Sequence, residues 1–181
     1  MNLLLGVSGG IAAYKACDLT SAAVKQGWSV RVVMTPSATR FVGALTFEAL
    51  CNHPVMVDAL ATGSGPEGAS AVEHVSWAKW ADVAVVAPAT ANTIGKLACG
   101  LADDALSTVW LALPPEVPRL ICPAMNTRMW ENPMVQRNLA WLADAGFQRV
   151  EPTSKRLACG DVGVGGLAEV EEIVEAIRRH A

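Results

Sequence analysis

Asn2-Leu-Leu-Leu-Gly-Val-Ser-Gly-Gly10 and Trp28-Ser-Val-Arg-Val-Val-Met34 are separated by a stretch of helical spacing, about Ile11 to Gln26, that Gly27 closes. Residues 2 to 7 form an apolar run of strand length, and Ser8-Gly9-Gly10 is a tight turn into the helix. Residues 28 to 34 are rich in β-branched side chains and are stopped by Thr35-Pro36-Ser37. A helix between two strands is a crossover, so the two strands are expected to be parallel.

The same grammar repeats downstream. A helix is expected over residues 41 to 50, and Ala61 to Ala71, rich in Gly, Ser and Pro with no apolar period, reads as a loop. Val83 to Ala87 is a strand ended by Pro88, and helices follow over about Ala91 to Cys99 and Ala105 to Leu113. Arg119 to Cys122 is a strand stopped by Pro123, about Pro133 to Ala145 is helical, and Gln148 to Val150 is a last strand. Val170 to Arg179 closes the chain as an amphipathic helix. Apolar strands without polar alternation, each followed by a helix, predict a parallel sheet covered on both faces. The fold class is therefore α/β, a Rossmann-like three-layer sandwich, with residues 1 to 181 as one domain.

Composition agrees. The chain has 181 residues, 52% of them hydrophobic and only 17% charged, with 14 Lys+Arg against 17 Asp+Glu, a formal charge of 14 − 17 = −3. That is far from a disordered composition, and a slightly acidic chain without a Lys/Arg block lacks the footprint of a nucleic-acid binder. The low charge content points to surface buried against further copies of the chain. The N-terminus has no basic region of a signal peptide, and no apolar run approaches a membrane span. Five cysteines without a C-x-x-C pair read as free thiols, which places the protein in the cytoplasm.

In an open parallel sheet, ligands bind outside the carboxyl ends of the strands. Those ends are Ser8-Gly9-Gly10, Thr35-Pro36-Ser37, Pro88-Ala-Thr-Ala-Asn-Thr93 and Pro123-Ala-Met-Asn126, all short of bulk and rich in hydroxyl, amide or glycine. Gly6-Val-Ser-Gly-Gly10 matches the nucleophile elbow G-x-S-x-G, but Ser8 ends the first strand, and a hydrolase needs several strands before its elbow. There is no G-x-G-x-x-G, and no acid ends the second strand, so a dinucleotide site is disfavoured. Backbone N–H groups freed by the glycines, with the hydroxyls of Ser8, Thr35 and Ser37, suit a single phosphate and hence a mononucleotide. Pro88 to Thr93 would let a flat heteroaromatic ring approach the backbone, although Asn92 or Thr93 equally reads as a helix N-cap.

Several residues are open to plainer readings. His74, alone, is an ordinary packed or surface histidine, and no second His or Cys stands at metal-ligand spacing. His53 and His180 read as structural or solvated. Asn126 sits where a strand yields to a helix, so N-capping is its simplest role; Arg128 and Trp130 add a cation and an apolar wall. Leu157 to Gly166 is glycine-rich and reads as a flap carrying one thiol, Cys159, which is suited to donating a proton to a covered site.

Together these motifs resemble the homo-oligomeric flavin-containing cysteine decarboxylases, over nearly the whole chain. The resemblance rests on Gly6-Val-Ser-Gly-Gly-Ile-Ala-Ala-Tyr-Lys15, His74 before Trp80-Ala-Asp82, Ala87-Pro-Ala-Thr-Ala-Asn-Thr93, Pro123-Ala-Met-Asn126 with Met129-Trp130, and Leu157-Ala-Cys-Gly-Asp161. It implies a bound FMN, with its phosphate near Ser8, Gly9, Gly10, Thr35 and Ser37, its ring against Pro88, Thr90, Ala91, Asn92 and Thr93, and Phe41 and Ala124 in contact. It further implies His74 as the catalytic histidine, Asn126 as holder of the substrate carboxylate beside Met129, and Cys159 as the thiol that protonates the intermediate.

The implied reaction is decarboxylation of 4'-phospho-N-pantothenoylcysteine to 4'-phosphopantetheine in coenzyme A biosynthesis. The alternatives are a peptidyl-cysteine decarboxylase that tailors ribosomal peptides, against which the thiol argues, and a non-catalytic FMN-binding regulatory subunit. Family members assemble as trimers or as dodecamers built from trimers, with the site between subunits. Many are fused to a ligase domain, so a separate phosphopantothenate–cysteine ligase is an expected partner. The chain departs from the family pattern at Gly166-Leu167 and Val170, where the clamp over the substrate is expected to fit differently.

Overall fold

The computed structural model describes residues 1 to 59, 73 to 156 and 162 to 180. The expected loop at 61 to 71 and Cys159 lie outside the described residues. Six strands, β1 (Asn2–Val7), β2 (Ser29–Met34), β3 (Val55–Met56), β4 (Val83–Ala89), β5 (Arg119–Pro123) and β6 (Phe147–Arg149), form one parallel sheet in the order β3-β2-β1-β4-β5-β6. The strand order reverses between β1 and β4, which opens a crevice at their carboxyl ends.

Successive side chains of each strand go to opposite faces, and each face is apolar. Leu3, Leu5, Val7, Val30, Val32, Val83 and Val85 pack with helices α1 (Lys15–Lys25), α2 (Ala44–Cys51) and α8 (Val170–Arg178). Leu4, Val33, Ala84, Val86 and Ile121 pack on the other face with α3 (Glu73–Trp80), α4 (Ala91–Ala98), α5 (Ala105–Leu111) and α7 (Pro133–Asp144). That doubly covered sheet is the three-layer sandwich expected from the uniformly apolar strands. A short helix, α6 (Thr127–Trp130), follows β5.

Four details differ from the sequence reading. A 3-10 turn over Ile11–Tyr14 leads into α1, so the first helix is not α-helical from its start. Pro88 does not end β4; the strand runs on to Ala89 through a register shift between Val86 and Ala89. Proline lacks the N–H a central ladder needs, and an irregularity of that kind is where it is tolerated. The short segments β3 and α3 were not anticipated. The glycine-rich stretch is not wholly a flap, because Val162–Gly166 is a strand, β8, pairing antiparallel with β7 (Thr153–Arg156) in a separate hairpin.

Candidate active site

The ends of β1, β4 and β5, the turn after β2 and the β8 end of the hairpin converge on a cleft of about 850 Å³. It lies at the β1/β4 crevice where topology places a ligand. Of the residues singled out from sequence, Gly9, Gly10, Ser37, Pro88, Thr90, Ala91, Asn92, Ala124, Asn126 and Met129 line it. Ser8, Thr35 and Thr93 stand behind that wall at 0%, 4% and 3% exposure. Phe41 is half-exposed beyond a 3-10 turn and is not a lining residue. Ile11, Tyr14, Lys15, Met125, Gly165 and Leu167 also line the cleft. Ile11 and Tyr14 are 61% and 56% exposed, an outlay of apolar surface that alternating patterns could not reveal.

Ser8 is a clamp. Its hydroxyl donates to the Pro88 carbonyl at 2.6 Å and accepts from the Thr90 N–H at 2.9 Å, tying the β1 turn to the β4 end. Gly9 is required by proximity, since a Cβ there would run into the Ser37 side chain and backbone. This brings the first turn against the second, where Thr35 Oγ1 and Ser37 Oγ lie 3.0 Å apart and Thr35 Oγ1 accepts from the Ala38 N–H. The N–H groups of Gly9 and Gly10 make no hydrogen bond among the described residues, so they remain free for an acceptor in the cleft.

The third turn is capped by Thr90 rather than by Asn92 or Thr93: Thr90 Oγ1 accepts from the Thr93 N–H at 3.4 Å. Asn92 is thereby left exposed on the lining. In the fourth turn Asn126 does cap its helix, its Oδ1 accepting from the Met129 N–H at 2.8 Å. With the carbonyl oxygen so engaged, the side-chain amide is left as a two-proton donor at the cleft wall, the polarity that an acceptor-only carboxylate needs.

The hairpin roofs one side. Met125 N–H donates to the Gly165 carbonyl at 2.8 Å, and Gly165 has φ +137°, where a Cβ would strike the Met125 carbonyl oxygen. Leu167, where the chain departs from the family pattern, is buried together with Ala168, and Glu169 makes a capping box with Glu172 at the start of α8. Lys15 Nζ meets Glu169 Oε2 at 3.3 Å, joining α1 to that cap.

His74 lies in the first turn of α3 and is not a lining residue of the cleft. Its Nδ1 is buried without a hydrogen-bond partner, one of three such side-chain atoms among the described residues, with Trp110 Nε1 and Thr127 Oγ1. A buried ring nitrogen left unpaired is costly, so a hydrogen-bonding partner at His74 Nδ1 would be stabilising. Among the described residues no cluster of three or more His, Cys, Asp and Glu could hold a metal, and no helix is long and apolar enough to cross a membrane.

Free backbone donors and hydroxyls at one end, small residues beneath, and apolar Ile11, Met125, Met129 and Leu167 around them fit a flat aromatic ligand with an anionic tail. Comparison with known proteins points the same way. The chain is 50% identical over 179 residues to the coenzyme A biosynthesis bifunctional protein CoaBC of Bacillus subtilis (strain 168), covering 99% of this chain and 43% of that protein. It thus spans under half the length of that relative. It is 45% identical to the probable phosphopantothenoylcysteine decarboxylase of Streptococcus mutans, covering 97% and 96% of the two chains. A solved structure of a PPC decarboxylase mutant complexed with pantothenoylaminoethenethiol superposes with a TM-score of 0.87 at 36% identity, over 98% of this chain and 96% of that one. The Flavoprotein family model matches residues 1–181, and with the crevice, the glycine turn and the aromatic-sized cleft in place, the chain belongs to the Flavoprotein family.

Proposed function

We propose that the protein is an FMN-dependent phosphopantothenoylcysteine decarboxylase, converting 4'-phospho-N-pantothenoylcysteine to 4'-phosphopantetheine. The observation that carries this reading is Asn126, whose capped Oδ1 leaves its amide to donate into a cleft shaped for a flat ring. The residues present fit FMN: free Gly9 and Gly10 N–H groups and the Ser37 hydroxyl would hold its phosphate, and Thr90, Ala91 and Asn92 its ring. When bound, FMN supplies the electron sink that loss of CO2 from a saturated carbon requires.

The protein's own part is binding and proton management. The Asn126 amide would donate to the substrate carboxylate and orient it, with Met129 as an apolar wall beside it. His74, carrying a ring nitrogen with no partner among the described residues, would do the acid-base work. The Cys159 thiol would supply the final proton, an assignment that rests on the resemblance. The trimeric or dodecameric assembly belongs to the same reading, which the exposed Ile11, Phe41, Leu45, Met134 and Trp141 favour, as do a separate ligase partner and a cytoplasmic setting.

Anaerobic incubation with 4'-phosphopantothenoylcysteine followed by mass spectrometry tests the reading. The expected product is substrate minus CO2, saturated and retaining its thiol. Untouched substrate overturns the reading, and an unsaturated enethiol from the intact protein favours a peptide-tailoring activity instead. His74→Asn is expected to retain flavin and lose turnover; full turnover would remove His74 from the mechanism.

A further inference from the structure

Arg31 is a cation set on a strand face otherwise given to the core. Along β2, Val30, Val32 and Met34 join the cluster under α1, while Val33 joins the cluster under α3 and α5. Alternation places Arg31 on the Val33 side. There its guanidinium carbon lies 4.4 Å from the Trp80 ring centroid and 5.2 Å from that of Trp77. Trp77 is 5% exposed, so the stack is largely shielded, and Glu73 of the same helix acts on Arg31 electrostatically.

The helix those tryptophans belong to is the one that carries His74. Its carboxyl end is tied down: Asn2 Nδ2 donates to the Trp80 carbonyl at 2.9 Å, and the Asp82 N–H donates to the Asn2 carbonyl at 2.9 Å. Such bonds fix where a helix ends, while its rotation about its axis is left to side chains. His74, Trp77 and Trp80 follow one another at i, i+3 spacing, so each is the surface neighbour of the next on one short helix. A contact that holds Trp77 and Trp80 fixes the rotation of that helix and with it the direction of His74. With side chains reaching about 5–6 Å from a helix axis, a rotation of about 10° moves the His74 ring by about 1 Å. A misplacement of that size costs on the order of 100-fold in rate at a catalytic centre.

We infer that Arg31 is a positioning residue for His74: stacked on Trp77 and Trp80, it sets the rotation of α3 and with it the aim of the His74 ring. The inference rests on the proton-transfer role proposed for His74. Arg31 lies in the amino half of β2 and does not line the cleft, so it acts through α3.

The test uses the flavin-loaded protein. Arg31→Met retains apolar cover and removes the planar cation, and Arg31→Lys returns a charge to the rings. Turnover is measured together with KM, flavin content and the ring carbon–proton spectrum of the three histidines. His74→Asn assigns the His74 signal, and His180 serves as a distant reference. The expected result for Arg31→Met is a kcat lower by about tenfold or more, with KM and flavin content within about twofold, a displaced His74 signal and an unmoved His180 signal. Arg31→Lys is expected to recover most of the loss.

A parental kcat and an unmoved His74 signal in Arg31→Met, with only a lower melting temperature, would overturn the inference and leave Arg31 as surface cover. If Arg31→Met does not fold, Trp80→Phe takes its place, with a displaced His74 signal and lower kcat expected and parental values overturning. Full turnover in His74→Asn would instead refute the catalytic reading itself. The two failures are separable, because the histidine spectrum reports positioning without reference to activity.

Discussion

Ser8→Ala separates a clamp from a ligand. The Ser8 hydroxyl is wholly buried and makes two hydrogen bonds, to the Pro88 carbonyl and from the Thr90 N–H. Losing two bonds removes about 1 kcal/mol each, and the partly buried Thr90 N–H left without an acceptor adds about 1–3 kcal/mol. The Pro88 carbonyl is not orphaned, because the Ser8 N–H still reaches it at 3.3 Å. The expected destabilisation of the flavin-free protein is therefore about 3–5 kcal/mol.

With an unfolding entropy of about 2.1 cal/mol/K per residue over 181 residues, this corresponds to a fall of about 8–13 °C in Tm. Urea unfolding and thermal melts at matched protein concentration measure it, alongside flavin titration. Ser37→Ala is the counterpart: Ser37 is exposed on the cleft wall, so stability should change by less than about 0.5 kcal/mol. Loss of the hydrogen bond proposed from Ser37 to the phosphate should weaken flavin binding about tenfold. The reasoning is refuted if Ser8→Ala leaves flavin-free stability unchanged while weakening flavin binding, because the hydroxyl would then be facing the ligand.

Asp104 caps α5 through Ser107 and receives Lys96 Nζ at 2.8 Å, so Asp104→Ala should cost about 2 kcal/mol, read by urea unfolding. Burial raises the Asp104 carboxyl, but hydrogen bonds from Lys96 and Ser107 outweigh it and hold the group below its ordinary value. A depressed carboxyl contributes stability that is full above its unfolded pKa of about 3.9 and is lost as pH falls through the folded value. The gap between parent and Asp104→Ala should accordingly close below about pH 4. Gly165→Ala, which drives a Cβ into the Met125 carbonyl from a positive φ, should detach the hairpin from the cleft, weakening substrate binding in KM measurements more than it lowers Tm. Cys159→Ser should release the unsaturated enethiol in place of the saturated thiol, detected as a product two mass units lighter, about 2 Da.

Much of this architecture was legible because strands buried on both faces read as unbroken apolar runs, as in Leu3-Leu4-Leu5 and Val83 to Ala87. The four strand ends were legible for the same reason: small and polar residues begin where the runs stop. What escaped was what depends on neighbours. The strand β3 has only Val55 and Met56, and it is a strand because Val32 and Val33 offer it an edge. Pro88 reads as a stop, yet the ladder of β5 carries β4 past it to Ala89. Glycines 163, 165 and 166 read as a flap, whereas Gly165 is fitted to the Met125 carbonyl.

The same division holds in the site. Which residue types gather at the crevice follows from sequence, since alternating strands and helices leave one possible edge for a ligand and the turns at that edge carry the hydroxyls and amides. Which of those groups face the ligand does not. Ser8 and Asn126 are both polar residues at strand ends. Tertiary contacts spend both Ser8 bonds on β4 and leave the Asn126 amide facing the cleft. Local pattern decides which elements form, because periodicity and turn chemistry act within a few residues; the direction of a hydroxyl, an imidazole or a guanidinium is decided by partners far along the chain, such as Thr90, 82 positions from Ser8.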